Sequence, residues 1–229
     1  MLVLSFPAGA FGTNCYVLAT TQGAECVVID PGLDAVSPLH ELLAEHQLKP
    51  VAVVLTHGHL DHTFSVVPVC SGYDIAAYIH PDDGPMLADP VRWHGPALGA
   101  IVAGMPIPEP DDVRLLTDGV ELDLAGVRLM PRHSPGHTLG STVFELALGD
   151  GPGLLSGDLL FAGSIGRVDL PGGSMSQMNQ SLARVVLPLD DATVVLPGHG
   201  PATTIGRERR GNPYLQNLVD KPAVPRRSL

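Results

Sequence analysis

The stretch VAVVLTHGHLDH, residues 51–62, places an apolar, strand-like run directly before three histidines and an aspartate. The whole chain has ten histidines, so three within residues 57–62 is a concentration that asks for a reason. A hydrogen-bonded histidine cluster in a polar core is one reading. Neutral imidazole nitrogen and carboxylate oxygen are also the ligands that suit zinc and neighbouring divalent ions, and the lack of cysteines here argues against a closed structural finger. A metal site with open positions follows. His57 and His59 are two residues apart, so an extended backbone points both to one side, whereas Asp61 and His62 follow a turn and can reach a second ion.

Further ligand types recur at the ends of other apolar runs. HSPGHT (133–138) offers His137, LLSGDLLF (154–161) offers Asp158, and VVLPGHG (194–200) offers His199. Loops beyond strand ends are where functional groups gather in layered α/β folds. The adjoining Gly136, Gly157, Gly198 and Gly200 allow close backbone approach or positive φ. Asp30 in VIDPG (28–32) suits two roles: an acceptor behind a ligand histidine, or the cap of a Pro-Gly turn. His133, four residues before His137, can support the site from outside the coordination sphere or simply hydrogen-bond in the core. His40, His46, His80 and His94 lack such a context and are assigned no chemistry. There is no G-x-S-x-G and no cysteine near the histidine set, which leaves water as the nucleophile.

At 229 residues and 45% hydrophobic content the chain can bury a substantial core as one domain. A net charge of −11 repels a phosphate backbone over most of the surface, so no nucleic-acid partner is expected. Six of the thirteen basic residues follow residue 206, a solvated end or a contact for an anionic substrate. Three cysteines without C-x-x-C spacing read as buried thiols of a reducing compartment. With no signal-like N-terminus and no apolar run of spanning length, a cytoplasmic location without membrane contact is expected. The oligomeric state stays open.

Nine β-rich runs are punctuated by Gly, Pro and Asp: LVLSF, NCYVLA, ECVVID, VAVVL, IAAYI, VRLM (127–130), STVFELAL, GLLS and TVVLP. Helices are expected over 38–48 with Ser37 as cap and Pro38 in the first turn, over about 176–187 with Ser176 as cap, and from Asn212-Pro213 onward. Strands with interspersed helices indicate sheets covered by helices in an α/β layered fold. Residues 81–110 carry seven prolines and four glycines, too many for an uninterrupted helix or central strand. The segment 81–112 is expected to be an irregular loop bordering the site, with Trp93 and His94 facing substrate or Trp93 packing on the core.

The ordered set THGHLDH, SPGHT, SGDLLF and PGHG resembles the metallo-β-lactamase superfamily. VIDPG, LFAGSIGRVDLPGG (160–173) and GHGPATTIGRERRGNP (198–213) resemble its compact glyoxalase II-like, or hydroxyacylglutathione hydrolase-like, branch. The likeness runs through nearly the whole chain and is weakest over 81–112. It implies a single-domain αββα sandwich over residues 1–229 with two divalent ions, zinc first and iron or manganese as alternatives, at one edge. His57, His59 and His137 would hold one ion, Asp61, His62 and His199 the other, and Asp158 would bridge both. The implied reaction is hydrolysis of a 2-hydroxyacyl thioester of the S-D-lactoylglutathione type, a small-molecule partner, by hydroxide formed between the ions, with Asp61 and Asp158 as catalytic carboxylates. Arg167 in SIGRVD would bind a carboxylate of the thiol carrier, or form a surface salt bridge. Larger glyoxalase II enzymes carry a helical C-terminal domain that helps bind glutathione; no separate domain of this kind is expected here, which leaves the carrier thiol open between glutathione, mycothiol or another. A mononuclear iron persulfide dioxygenase of the same superfamily, using residues matching His57, His137 and Asp158, is the alternative. A non-catalytic metal-binding module is the third reading.

Overall fold

The computed structural model describes residues 1–94 and 108–219. Two six-stranded sheets run β1-β2-β3-β4-β5-β6 and β12-β11-β10-β9-β8-β7. The first comprises Leu2–Ala8, Thr13–Ala19, Glu25–Ile29, Lys49–Val54, Ala76–Ile79 and Val113–Leu115. The second, in chain order, comprises β7 Leu122–Leu124, β8 Val127–His133, β9 Thr142–Leu148, β10 Gly151–Gly157, β11 Val194–Pro197 and β12 Thr203–Thr204.

Alternation along the strands sorts residues into layers. On β2, Tyr16 and Leu18 join Val27, Ile29, Val54, Val127, Phe144 and Leu155 between the sheets. Cys15, Val17 and Ala19 turn to the outer face, where they meet Leu39, Leu43, Val66 and Val69. Those residues lie on helices α1 (Val36–His46) and α3 (Val66–Tyr73). Outside the second sheet, Val143, Leu154 and Val195 pack on Met178, Leu182, Val186, Ile205 and Leu215. These belong to α5 (Met175–Ser181) with its π-helical continuation Leu182–Val186, to α6 (Ile205–Gly211) and to α7 (Pro213–Val219). The result is the expected helix–sheet–sheet–helix order, an αββα single-domain fold. Sheets apolar on both faces explain the near-continuous hydrophobic runs such as VAVVL.

All nine anticipated strands form. The unanticipated β6, β7 and β12 span three residues or fewer, too short for a periodic signal. Two caps are corrected. Helix α1 starts two residues earlier, with Ala35 at its N-cap and Ser37 inside; Pro38 still falls in the first turn, where its missing N–H costs nothing. In α5 the capping side chain is Ser174, which accepts from the Gln177 amide, rather than Ser176. The 81–112 segment is less irregular than expected: α4 spans Gly84–Ala88 with Pro85 in its first turn, and residues 90–94 are helical. The remainder of that segment, 95–107, lies outside the described residues.

Strands β3, β4 and β5 are parallel, and so are β10 and β11, so their C-terminal ends gather at one edge. There the sheets are stitched together. The Asn14 amide donates to the Gly198 carbonyl at 2.7 Å, its side-chain amide donates to Pro197 and Gly200 carbonyls, and the Tyr16 hydroxyl donates to Pro197 O at 2.8 Å. Thr13 pairs with His199 in an isolated bridge. All three thiols are free and buried, and burial pushes Cys26 and Cys70 up to about 12. Among the described residues no helix is long and apolar enough to cross a membrane.

Phe144 is fully buried between the sheets, so Phe144→Ala is expected to lower the unfolding free energy by about 3–5 kcal/mol in urea titration. A loss below about 1 kcal/mol would show that the inter-sheet layer closes over the cavity without strain.

Candidate metal centre

The seven anticipated ligand residues converge at the stitched edge. His57 and His59 follow β4, Asp61 and His62 lie on the single-turn helix α2 (Leu60–Thr63), and His137 stands in the loop after β8. Asp158 follows β10 and His199 follows β11. Three triads place ligand atoms within 4.8 Å of one another: His57–His59–His137, His57–His62–Asp158 and Asp61–His62–His199. Between the first and last triads, Asp158 reaches both ways, with Oδ2 3.4 Å from His137 Nε2 and Oδ1 3.4 Å from His62 Nε2.

Two glycines make this approach possible. A Cβ on Gly198 would lie 2.3 Å from Asp158 Oδ1, and one on Gly136, at φ +145°, would lie 2.4 Å from the Met178 backbone. Asp30 sits in the left-handed region at φ 48°, which an aspartate tolerates. Its side chain does not cap the Pro-Gly turn. One oxygen accepts the Thr56 amide at 2.8 Å; the other accepts the Thr56 hydroxyl at 2.6 Å and His62 Nδ1–H at 2.9 Å.

These contacts fix the histidine tautomers. The Thr56 hydroxyl gives its only proton to Asp30, so at 3.0 Å from His57 Nδ1 it accepts. His62 Nδ1–H donates to Asp30, and His137 Nδ1–H donates to the Arg167 carbonyl at 2.7 Å. All three rings therefore present bare Nε2 atoms to the centre. Two of these bare nitrogens face each other, His137 Nε2 lying 3.2 Å from His57 Nε2, and two further rings close on the centre, with His59 Nδ1 2.7 Å from His137 Nε2 and His199 Nε2 3.2 Å from His62 Nε2. Asp158 Oδ1 is buried without a hydrogen-bond donor among the described residues. A set of inward lone pairs and an orphaned carboxylate oxygen fits divalent cations.

For His57, His59 and the two carboxylates, electrostatics agree with that fit. Burial, reinforced by the neighbouring rings, holds His57 and His59 well below the ordinary histidine range, in the neutral form that ligates. Burial also opposes charge on Asp61 and Asp158, but His62 beside them keeps both carboxylates below their usual range. For His62, burial is outweighed by Asp158, Asp61 and Asp30, which raise it.

The triads floor a cavity of about 510 Å³ whose walls include Phe11, Phe161, Leu170 and His94. Two anticipated residues behave differently. Arg167 borders the cavity, but its guanidinium is bound by both oxygens of Asp169 at 2.7 Å; its carbonyl, not its charge, serves the site by fixing His137. His133 touches no ligand. It ends β8 turned away from the centre, donates to the Leu139 carbonyl at 2.8 Å and stacks on His80 at 4.0 Å with planes 7° apart. With Asp82 nearby this pair resembles another metal triad, yet parallel rings cannot aim in-plane lone pairs at one point.

Two contributors, Thr56 and Asp83, carry no sequence signal beyond the strand end and the turn to which they belong. His94 receives the Leu60 amide on Nε2 at 2.6 Å, donates to the Pro90 carbonyl and packs edge-on against His59, the cavity-facing position considered for it. Asp83 accepts from both ligand-bearing loops. Trp93 carries the Arg92 guanidinium over its ring at 5.4 Å.

Compared with known proteins, residues 8–199 match the model of the metallo-beta-lactamase superfamily. The chain is 31% identical to "Hydroxyacylglutathione hydrolase GloC" of Haemophilus influenzae, over 92% of this chain and 96% of that protein. Among solved structures, TTHA1623 in a di-iron-bound form is 38% identical with a TM-score of 0.76, covering 94% of this chain and all of the other. The BLEG-1 B3 metallo-beta-lactamase is 36% identical with a TM-score of 0.80, covering 93% and 99%. With the fold, the two triads and the match over residues 8–199 in agreement, the chain belongs to the metallo-beta-lactamase superfamily.

Proposed function

We propose that this metallo-hydrolase cleaves 2-hydroxyacyl thioesters of the S-D-lactoylglutathione type. The observation that carries the reading is the convergence of two ligand triads on Asp158 at the floor of a cavity with no serine, threonine or cysteine among its described lining residues. A nucleophile supplied by the protein is therefore missing where one would be needed. Two divalent ions, if bound by the triads, would supply Lewis acidity for a carbonyl oxygen and would acidify water towards neutrality.

The chain's own groups do the rest. His57, His62 and His137 keep their protons on Nδ1, tied to Thr56, Asp30 and Arg167 O, so their ligating nitrogens stay bare. Phe11, Phe161 and Leu170 cover the acyl portion and limit water access. A thiolate leaves without a strong general acid, since its conjugate thiol has a pKa of about 8.5. The lining offers no acid of that kind: Arg167 is held by Asp169, and Asp61 and Asp158 are ionised. The relatives support this reading, one bearing the name of a hydroxyacylglutathione hydrolase and another solved with two irons. Zinc is the proposed metal, with iron or manganese as alternatives, and the cytoplasm the proposed location.

The purified protein is expected to carry about two metals per chain and to hydrolyse S-D-lactoylglutathione anaerobically, with activity lost to a chelator and restored by metal. One iron per chain with O₂ uptake on glutathione persulfide would replace the hydrolase by the dioxygenase; turnover of a β-lactam alone would move the substrate class. Asp158→Ala should abolish turnover and lower metal content, and retention of both would overturn its bridging role. Arg167→Ala should raise KM by at most about fivefold with kcat unchanged, because an exposed pair is worth about 0.2–1 kcal/mol. A collapse of kcat would instead place the guanidinium at the reacting bond.

A further inference from the structure

The loops that carry His57, His59 and His137 come from different sheets, and one side chain joins them. Asp83, fully buried at the entrance of α4, accepts the Gly58 amide on Oδ2 at 3.0 Å and the Gly140 amide on Oδ1 at 2.6 Å. Its Oδ2 also accepts the Thr138 hydroxyl at 2.6 Å. Gly58 stands between His57 and His59, and Thr138 follows His137. No lysine or arginine pairs with this carboxylate among the described residues, and every group touching it is a neutral donor.

We infer that Asp83 is the positioning residue of the His57–His59–His137 triad, clamping its two loops so that one ion is held while the Asp61–His62–His199 triad is set separately. His62 of the second triad is anchored by a different carboxylate, Asp30, which also holds Thr56 behind His57. Carboxylate chemistry is required at 83. An amide there would set an N–H against the N–H of Gly140 or that of Gly58, and the bond to one of the two loops would be lost. Space confirms the fit: a Cβ on Gly140 would lie 2.7 Å from the Asp83 backbone nitrogen, and one on Gly58 3.0 Å from its carbonyl oxygen. The inference rests on the two-ion centre but not on the thioester substrate.

The test is a Zn²⁺ titration of the metal-stripped full chain against a chromophoric chelator, with urea unfolding of the stripped protein alongside. Asp83→Asn is expected to weaken one of the two Zn²⁺ constants by about 10–100-fold, the usual effect of removing a group that orients ligands, and to leave the other within about threefold. Thr138→Val should weaken the same constant in part, and Thr138→Ser, which keeps the hydroxyl, should restore it. Constants within threefold of wild type in Asp83→Asn and Thr138→Val would overturn the inference. So would an equal fall of both constants together with the unfolding midpoint, which marks a scaffold contact only. Failure of thioester hydrolysis in the wild type leaves these readouts intact, so the two proposals fail separately.

Discussion

Bare imidazole nitrogens repel one another, and the fold holds three close contacts between ring nitrogens in its interior by engaging the opposite nitrogen of His57, His62 and His137. His62 Nδ1–H goes to Asp30, His137 Nδ1–H to the Arg167 carbonyl and His57 Nδ1–H to Thr56. Each of these outer partners is itself locked: Thr56 by Asp30, and Asp30 by the backbone bond from its amide to Val54 O. The ligands are thus aimed from behind by backbone and carboxylate groups rather than by contact with one another. Since desolvated polar groups without partners are costly, this outward bonding is what makes an inward-facing set of lone pairs tolerable.

The layered architecture serves that demand by bringing parallel strand ends to one edge. Residues on β2 and β9 divide cleanly between two apolar layers, so the sheets are fixed against each other through Phe144, Leu18 and Ile29. Loops emerging from a rigid edge need few further restraints, and here two buried carboxylates, Asp30 and Asp83, supply them.

Much of this was legible in the sequence because strand runs and ligand types are local signals. VAVVL is readable as a buried strand by itself, and His57, His59, Asp61 and His62 are readable by spacing. What escaped depends on where distant segments meet. Asp83 lies in a Pro-Asp-Asp-Gly turn whose sequence signals nothing but a turn; its meaning comes from Gly58 and Gly140, 25 and 57 residues away. His133 looked equivalent to a supporting residue because it is near His137 in sequence, yet the strand end turns it towards His80. The Arg167 motif pointed to a charge, while the structure uses the carbonyl that every residue type possesses. Both caps lie two residues earlier than expected: at α5 Ser174 and Ser176 could each serve, and at α1 the N-cap is Ala35, a residue type that gives no capping signal.

The stitching of Asn14 and Tyr16 to the 197–200 segment joins parts of the chain separated by 181 to 186 residues. The β1–β2 hairpin is synthesised well before its partner segment, which follows it by more than 180 residues. Loop closure over such a distance is entropically costly and comes late in folding. His199 is delivered to the centre by that same closure. The last ligand therefore arrives only when β2 and the 197–200 segment have both been synthesised and docked, so a nascent chain lacking that segment holds an incomplete ligand set and cannot assemble the full centre prematurely.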